Sequence, residues 1–256
     1  SISGTDVDDF TIDSSSGVLT FTSSPNFEVP TDSDTDNEYT VIVTVTDNGS
    51  LTDSQTITIT VVDVNEAPVI TSNSGGSTAS INVNENTSAV TTITSTDVDA
   101  SATATYSISG TDVDDFTLDS SSGVLTFTSS TNFEVPTDFD GDNVYTVIVT
   151  ITDGALTDSQ TITITVVDAN DAPVITSNGG GATASISVNE NISAITTITS
   201  TDVDASSTAT YSISGTDADD FTIDSSIGVL TFTSPPNFEV PTDSDENNTY
   251  IVDIIV

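Results

Sequence analysis

The feature that most constrains this chain is an internal repeat of about 105 residues. The segment that begins at Ser1 recurs at Ser107, with Leu118 in place of Ile12, and recurs again at Ser212. Solenoid coils have about 20–50 residues, whereas a unit of this length can bury a core of its own. The repeat therefore predicts three tandem domains: 1–64, N-terminally truncated; 65–169, complete; and 170–256, C-terminally truncated.

Alternation of apolar and polar residues predicts β-strands. Apolar residues occupy the odd positions of 145–151, with Thr at most even positions, and they occupy the even positions of 161–166. A period of two places one strand face in the core and the other in water. Weaker strand patterns cover Ala79–Val83, Ala89–Ser95, Thr103–Ile108, Asp115–Leu118 and Val124–Thr128.

About seven short strands per unit, separated by Gly, Asn and Ser clusters, are typical of an immunoglobulin-like sandwich. We therefore expect an all-β fold of tandem seven-stranded Greek-key β-sandwiches. The chain contains no Cys and no Trp, which argues against an antibody-type core. Burial preferences favour aromatic side chains in the core instead, namely Phe116, Phe127, Phe133 and Tyr145.

The ionisable residues are all acidic, and this excludes many functions. The chain has 40 Asp and Glu residues but no Lys, Arg or His, so its formal net charge is −40. Without His, Lys or Cys, most nucleophile–base pairs and zinc sites cannot form, and the charge repels nucleic acid. A glycosidase-like pair of carboxylates is the remaining enzymatic alternative, but no pair stands out from the repeats. We expect no enzyme, no nucleic-acid partner and no membrane span in this segment.

The acids have no cationic side chain to pair with, so the expected counter-charge is a bound metal ion. Oxygen ligands select Ca²⁺ first and Mg²⁺ second. Acidic clusters recur at matching positions of the repeats: Asp63–Pro68 and Asp168–Pro173, Asp97-Val-Asp99 and Asp202-Val-Asp204, Asn84-Glu85-Asn86 and its copy at Asn189, and Asn26-Phe27-Glu28 with copies at Asn132 and Asn237. Taken singly, each cluster could also be a solvated turn or linker.

Together, in this order, the clusters resemble the cadherin repeat, and the Thr- and Asp-rich sequence looks like the bacterial and archaeal cadherin-like domains of large surface proteins. The resemblance implies a cadherin-type sandwich with Ca²⁺ ions between consecutive domains. It implies a first junction of Glu28, Asp63, Asn65, Glu66, Asp97, Asp99 and Asp153, and a second junction of Glu85, Glu134, Asp168, Asn170, Asp171, Asp202 and Asp204. Asn132 replaces an acid of the family pattern and the linker is one residue shorter, so we expect one to three ions per junction.

A fifth acidic cluster begins like an EF-hand loop. It comprises Asp32, Asp34 and Asp36, and it recurs as Asp138, Asp140 and Asp142. Asn37 at the sixth position and Val43 at the twelfth exclude a complete EF-hand, which needs Gly and Glu there. Two interpretations stay open, a separate cation site and a solvated turn, and Asn247 in the third copy favours the turn. The cluster around Asp112, Asp114 and Asp115 predicts a turn.

These observations lead to the hypothesis of a non-enzymatic extracellular module, at a cell surface or in a secreted filament. In this hypothesis, calcium ions at the junctions stiffen a stalk or filament built from neighbouring repeats or self-associated copies. The alternative is an adhesin module that binds carbohydrate or makes homophilic cell–cell contacts. Four Asn-x-Ser/Thr sequons, at Asn48, Asn86, Asn191 and Asn247, leave glycans as a further expectation.

Overall fold

The computed structural model describes residues 1–99, 103–204 and 207–256, and the chain divides into two compact units. Unit 1 comprises Ser1–Val83, Thr87–Thr131 and Thr137–Val166, and unit 2 comprises Asn84–Asn86, Asn132–Pro136 and Val167–Val256. The described residues form strands, turns and four short 3₁₀ helices, with no α-helix among them. No helix in this described part of the chain is long and apolar enough to cross a membrane.

The strands follow the repeats. The first repeat contains β1 (Ile2–Ser3), β2 (Phe10–Ile12), β3 (Leu19–Phe21), β4 (Glu38–Thr46) and β5 (Thr52–Thr60). The second contains β6 (Val69–Ile70), β7 (Thr78–Asn84), β8 (Ala89–Thr92), β9 (Ser95–Thr96), β10 (Thr105–Ser109), β11 (Phe116–Leu118), β12 (Val124–Phe127), β13 (Val144–Thr152) and β14 (Thr157–Val167). The third contains β15 (Val174–Ile175), β16 (Ala194–Thr197), β17 (Ser200–Thr201), β18 (Ser212–Ser214), β19 (Phe221–Ile223), β20 (Val229–Phe232) and β21 (Asp253–Ile255). The 3₁₀ helices are Val7–Asp9, Val113–Asp115, Ser177–Gly179 and Ala218–Asp220.

The second repeat is built from two sheets. One sheet has the strand order β10-β13-β14-β7 and the other has the order β11-β12-β8, while β6 pairs with β9. If β6 with β7 and β8 with β9 each count as one interrupted strand, the repeat has the seven strands that were predicted. The sandwich is therefore all-β, as the alternation indicated.

The long antiparallel pair of β13 and β14 supplies much of the core. Tyr145 lies opposite Ile164 and Val147 lies opposite Ile162, and each of these side chains is at most 1% exposed. Thr occupies the alternate positions, such as the pair of Thr146 and Thr163. The period-two pattern is thus confirmed on both strands, because the pleat sends alternate side chains to opposite faces.

Three aromatic rings join the two sheets. The Phe116 ring lies 4.6 Å from that of Phe127 and 5.9 Å from that of Tyr145, measured between centroids. The other two repeats contain the same arrangement, in Phe10, Phe21 and Tyr39 and in Phe221, Phe232 and Tyr250. The prediction for Phe133 was wrong, because this residue lies in the loop between β12 and β13 and is only half-buried.

The strand predicted for 89–95 is interrupted between β8 and β9, at the point where another chain segment approaches. The Ile93 N–H donates to the carbonyl of Gly123 at 2.8 Å. Gly123 has a φ of +71°, and a Cβ at this position would collide with the Ile93 carbonyl oxygen. Only glycine combines a positive φ with the absence of a Cβ, so only glycine fits here without strain.

Candidate metal centres

In unit 1, four carboxylates of the predicted first junction converge. Oxygens of Glu28, Asp63, Glu66 and Asp99 all lie within 4.8 Å of one another. Glu28 lies in the loop before β4, Asp63 and Glu66 follow β5, and Asp99 follows β9. The Glu66 N–H donates to Asp99 Oδ2 at 3.0 Å, which holds two of these segments together.

The remaining predicted residues of the first junction surround this group. Asn65 Nδ2 donates to Asp153 Oδ2 at 2.7 Å and to the Glu66 carbonyl at 2.9 Å. Asp97 Oδ1 accepts the Asp99 N–H at 3.0 Å. Asp153 is fixed at its other oxygen by backbone N–H groups of its own turn. Its geometry is therefore that of a positioning residue that orients Asn65.

Burial and charge repulsion act together on the carboxylates of the predicted first junction. Loss of hydration, followed by repulsion from Glu28 and Asp99, raises the pKa of Glu66. Asp97 Oδ2 and Asp99 Oδ1 are buried and have no hydrogen-bond partner among the described residues. Buried carboxylate oxygens without a donor are costly, and a divalent cation would offset their charge. The donors are all oxygens, so they fit the preference of Ca²⁺.

In unit 2, Glu85, Glu134 and Asp168 of the predicted second junction form a similar group, with oxygens within 4.8 Å. Glu85 is 2% exposed and accepts the N–H of Phe133 at Oε2 and that of Ala169 at Oε1, each at 2.9 Å. It therefore connects the loop of Glu134 to the linker after β14. Glu134 Oε2 is buried and has no hydrogen-bond partner in the described part of the chain.

The contacts of the second junction repeat those of the first. The Asp171 N–H donates to Asp204 Oδ2 at 2.8 Å, and the Asp204 N–H donates to Asp202 Oδ1 at 3.0 Å. Asn170 Nδ2 donates to the Asp171 carbonyl at 2.7 Å. Loss of hydration and the charge of Asp204 raise the pKa of Asp168. The two linkers, which differ at two of six positions, thus make the same local hydrogen bonds.

The two acidic loops that resemble the start of an EF-hand also gather their carboxylates. Asp32, Asp34 and Asp36 form one group with oxygens within 4.8 Å, and a second group consists of Asp138, Asp140 and Asp142. Both loops precede a long strand, β4 or β13. No corresponding group of three acids is found in the third copy within the described residues, since Asn247 replaces the third Asp.

Sequence reasoning missed one structurally important acid in each repeat, and in the second repeat this acid is Asp112. Asp112 begins the predicted turn, and the 3₁₀ helix Val113–Asp115 follows it, yet its side chain is only 5% exposed. Its oxygens accept the N–H of Phe139 at 2.8 Å and that of Thr146 at 2.7 Å, which ties the acidic loop to β13.

The other two repeats contain the same connection. Asp6 accepts N–H groups of Ser33 and Thr40, and Asp217 accepts those of Ser244 and Ile251. Backbone donors, first that of Thr40, lower the pKa of Asp6, and the Ile251 donor does so for Asp217. The available signal was an Asp at the same place in all three copies, beside a position that changes from Val to Ala.

No family model and no curated protein matches the chain. Solved structures do: human CDH23 EC21-23 matches with a TM-score of 0.56 and 20% identity, over 97% of this chain and 81% of that chain. Protocadherin gammaB7 EC3-6, a cis-dimer structure, has a TM-score of 0.52 and 22% identity over 92% of this chain. Protocadherin Gamma B2 extracellular cadherin domains 3-6 have a TM-score of 0.51 and 18% identity over 91%.

The chain spans 58% and 59% of the two protocadherin chains. At these identities the likeness shows the fold alone. The protein has a cadherin-like β-sandwich fold.

Proposed function

We propose that the chain is a non-enzymatic, calcium-rigidified extracellular repeat of a stiff stalk or filament. One observation carries the proposal. Carboxylates from three separate loops converge beside the linker Asp63–Pro68, and the buried oxygens of Asp97 and Asp99 there have no donor in the described part of the chain. A chain without Lys, Arg or His must take the compensating charge from solution.

The physical mechanism is charge compensation at the linker. Without a cation the junction carboxylates repel one another, so the predicted domains 1–64, 65–169 and 170–256 would change their angle freely. A shared Ca²⁺ would bind ligands from both sides of a linker and fix that angle. Because the ion binds only the folded arrangement, its binding energy adds to stability by mass action.

The proposed ligands are those of the two junctions, with one to three ions at each. Glu28, Asp63, Glu66 and Asp99 would hold the first ion, with Asp97 and Asn65 beside them. Glu85, Glu134 and Asp168 would hold the ion of the second junction, with oxygens of Asn170, Asp171, Asp202 and Asp204 nearby. Asp153 would orient Asn65.

We further propose that the chain is one of the cadherin-like repeats of bacterial or archaeal surface proteins and lies outside the cell. Its cadherin-like fold and its composition, acidic and without Lys, Arg or His, support this proposal. Its partners would be neighbouring repeats of the same array or further copies of the chain, because near-identical repeats suit an object in which many units bear load equally. Electron microscopy of the native material separates continuous filaments from short projections on cells, and the absence of both would contradict the structural role.

The test of the calcium proposal is chelation of the full chain. EDTA should lower the melting temperature and increase protease cleavage near Asn65 and Asn170. Asp99→Asn should reduce the calcium effect at the first linker only, and Asp204→Asn should do so at the second. The matched control is Asp114→Asn, since Asp114 is an exposed acid outside both junctions. Identical melting and cleavage with and without EDTA would contradict the proposal.

A further inference from the structure

We propose that the loop 31–37, here called the first acidic loop, is a separate Ca²⁺ site that works independently of the junctions. Its ligands would be the carboxylates of Asp32, Asp34 and Asp36, whose oxygens lie within 4.8 Å of one another. None of these residues belongs to either junction group, so the site would bind and release its Ca²⁺ independently of the junctions.

The buried side chain of Asp32 carries this inference. Asp32 is 3% exposed, and its Oδ2 accepts the Asp36 N–H at 2.8 Å. Its Oδ1 is also buried but has no hydrogen-bond partner among the described residues. A buried ionised oxygen without a donor is costly. The Asp32 side chain that contains it belongs to a group with two further carboxylates. A bound Ca²⁺ would satisfy such an oxygen and offset two of the three negative charges.

The corresponding oxygen of the second acidic loop is engaged differently. Asp138 Oδ1 accepts the N–H of Asn143 at 3.1 Å. This oxygen therefore has a donor, and the unsatisfied oxygen is a feature of the first loop. In the third loop, Asp243 Oδ1 likewise accepts a backbone N–H, that of Asn248 at 3.2 Å, and Asn247 replaces the third acid. The third loop therefore serves as a control within the same chain, because it occupies the same place in its repeat but has one carboxylate fewer.

The backbone of the first acidic loop turns sharply at two positions. Thr35 and Asn37 have positive φ values of 61° and 65°, which turn the chain so that its alternate carboxylates gather. Asn37 thereby takes the left-handed conformation that an EF-hand assigns to Gly. Asp6 anchors the loop by accepting the N–H of Ser33 at 2.8 Å.

The ligand count sets the expected affinity. Ca²⁺ takes six to eight oxygens, so three carboxylates leave several positions to water. Extracellular EF-hand sites, the weakest of that family, bind Ca²⁺ with dissociation constants of about 10⁻⁴–10⁻³ M, and we expect a loop with three carboxylates to bind no more tightly. The first acidic loop would therefore be filled at millimolar calcium and lose its ion in dilute solution.

The test counts ions on the full chain. Bound Ca²⁺ is measured by equilibrium dialysis, and Tb³⁺ luminescence is measured with tyrosine excitation, because the Tyr39 hydroxyl lies against the loop and accepts the Thr31 N–H at 3.0 Å. The double variant Asp34→Asn/Asp36→Asn should lose one Ca²⁺ per chain and the corresponding share of terbium emission. Asp245→Asn, the matched change in the third loop, should lose neither.

Two readouts separate this site from the junctions. Linker cleavage in the double variant should stay calcium-sensitive, whereas Asp99→Asn should keep the terbium emission of the loop. If the double variant binds as many ions as the parent chain with the same titration, the loop site is wrong even if the junction proposal holds. Circular dichroism in EDTA shows whether the double variant folds. If it does not, the single variant Asp34→Asn, which changes an exposed side chain, is used for the same test.

Discussion

The buried carboxylate of Asp112 offers the sharpest test of how the second repeat holds its acidic loop, which contains Asp138, Asp140 and Asp142. Asp112→Asn preserves the shape of the side chain but leaves one oxygen instead of two. At present the two oxygens accept the N–H of Phe139 at 2.8 Å and that of Thr146 at 2.7 Å. The Asn amide can accept one of these hydrogen bonds, and its NH₂ group would then face the other N–H.

The expected cost follows from that loss. A hydrogen bond to a charged acceptor contributes about 1.5–3 kcal/mol, and a buried donor left unsatisfied costs about 1–3 kcal/mol. Since Asp112 is 5% exposed, water cannot easily replace the lost acceptor. We expect the free energy of unfolding of the second repeat to fall by about 2–3 kcal/mol. For a domain of this size, each 1 kcal/mol lowers the melting temperature by about 4–8 °C.

Thermal unfolding of the full chain and hydrogen exchange measured by mass spectrometry test this prediction together. Melting should shift by about 10 °C or more. Hydrogen-exchange protection should be lost in 137–152, which contains the Phe139 and Thr146 N–H groups that donate to Asp112. The control is Asp114→Asn, two positions along on the exposed face of the same turn, which should change stability by about 0.5 kcal/mol or less. If the two variants melt together, the carboxylate of Asp112 does not hold the loop.

Three further predictions concern acid, backbone space and the second junction. In EDTA, lowering the pH from neutrality towards the raised pKa values of Glu66 and Asp168 should raise the melting temperature. The reason is that protonation relieves a repulsion between carboxylates that is absent from the unfolded chain. Saturating calcium should abolish this rise in melting temperature. Gly123→Ala should destabilise its repeat by at least about 2 kcal/mol, whereas Gly17→Ala, which has a similar positive φ but open space, should cost less, as urea unfolding would show. Glu85→Gln should weaken the protection that calcium gives the second linker, so that cleavage there in calcium increases, and it should leave the first linker unchanged, since its two acceptor oxygens belong to the second junction alone.

Local sequence was sufficient for the strands and for most of the core. The alternation in β13 and β14 predicted which residues face inward, because strand geometry allows only two faces. The failure at Phe133 has the opposite cause. An aromatic residue in a loop carries no periodicity, so its burial depends on neighbours elsewhere in the chain.

The acidic positions could be predicted as clusters but not as sites. Recurrence at matching positions identified the linker acids and the Asp-x-Asp pairs without any structure. Their convergence was implied only by the resemblance to a known repeat and did not follow from the spacing of the residues, since Asn65 and Asp153 are 88 positions apart and meet only through folding. Asp112 and its exposed neighbour Asp114 look alike in the sequence, and only the position of β13 makes one of them a buried acceptor.

The sequence alone determined that the chain is an all-β array of about 105-residue repeats, that its strands alternate and that its charge must be compensated from solution. These properties follow from the periodicity and from the missing cationic residues, which no folding can alter. The tertiary structure decided which carboxylates share a group, which oxygens are left without a donor and which single acids hold loops to strands. Those outcomes depend on distances between segments far apart in the chain, and only the packed sandwich fixes such distances.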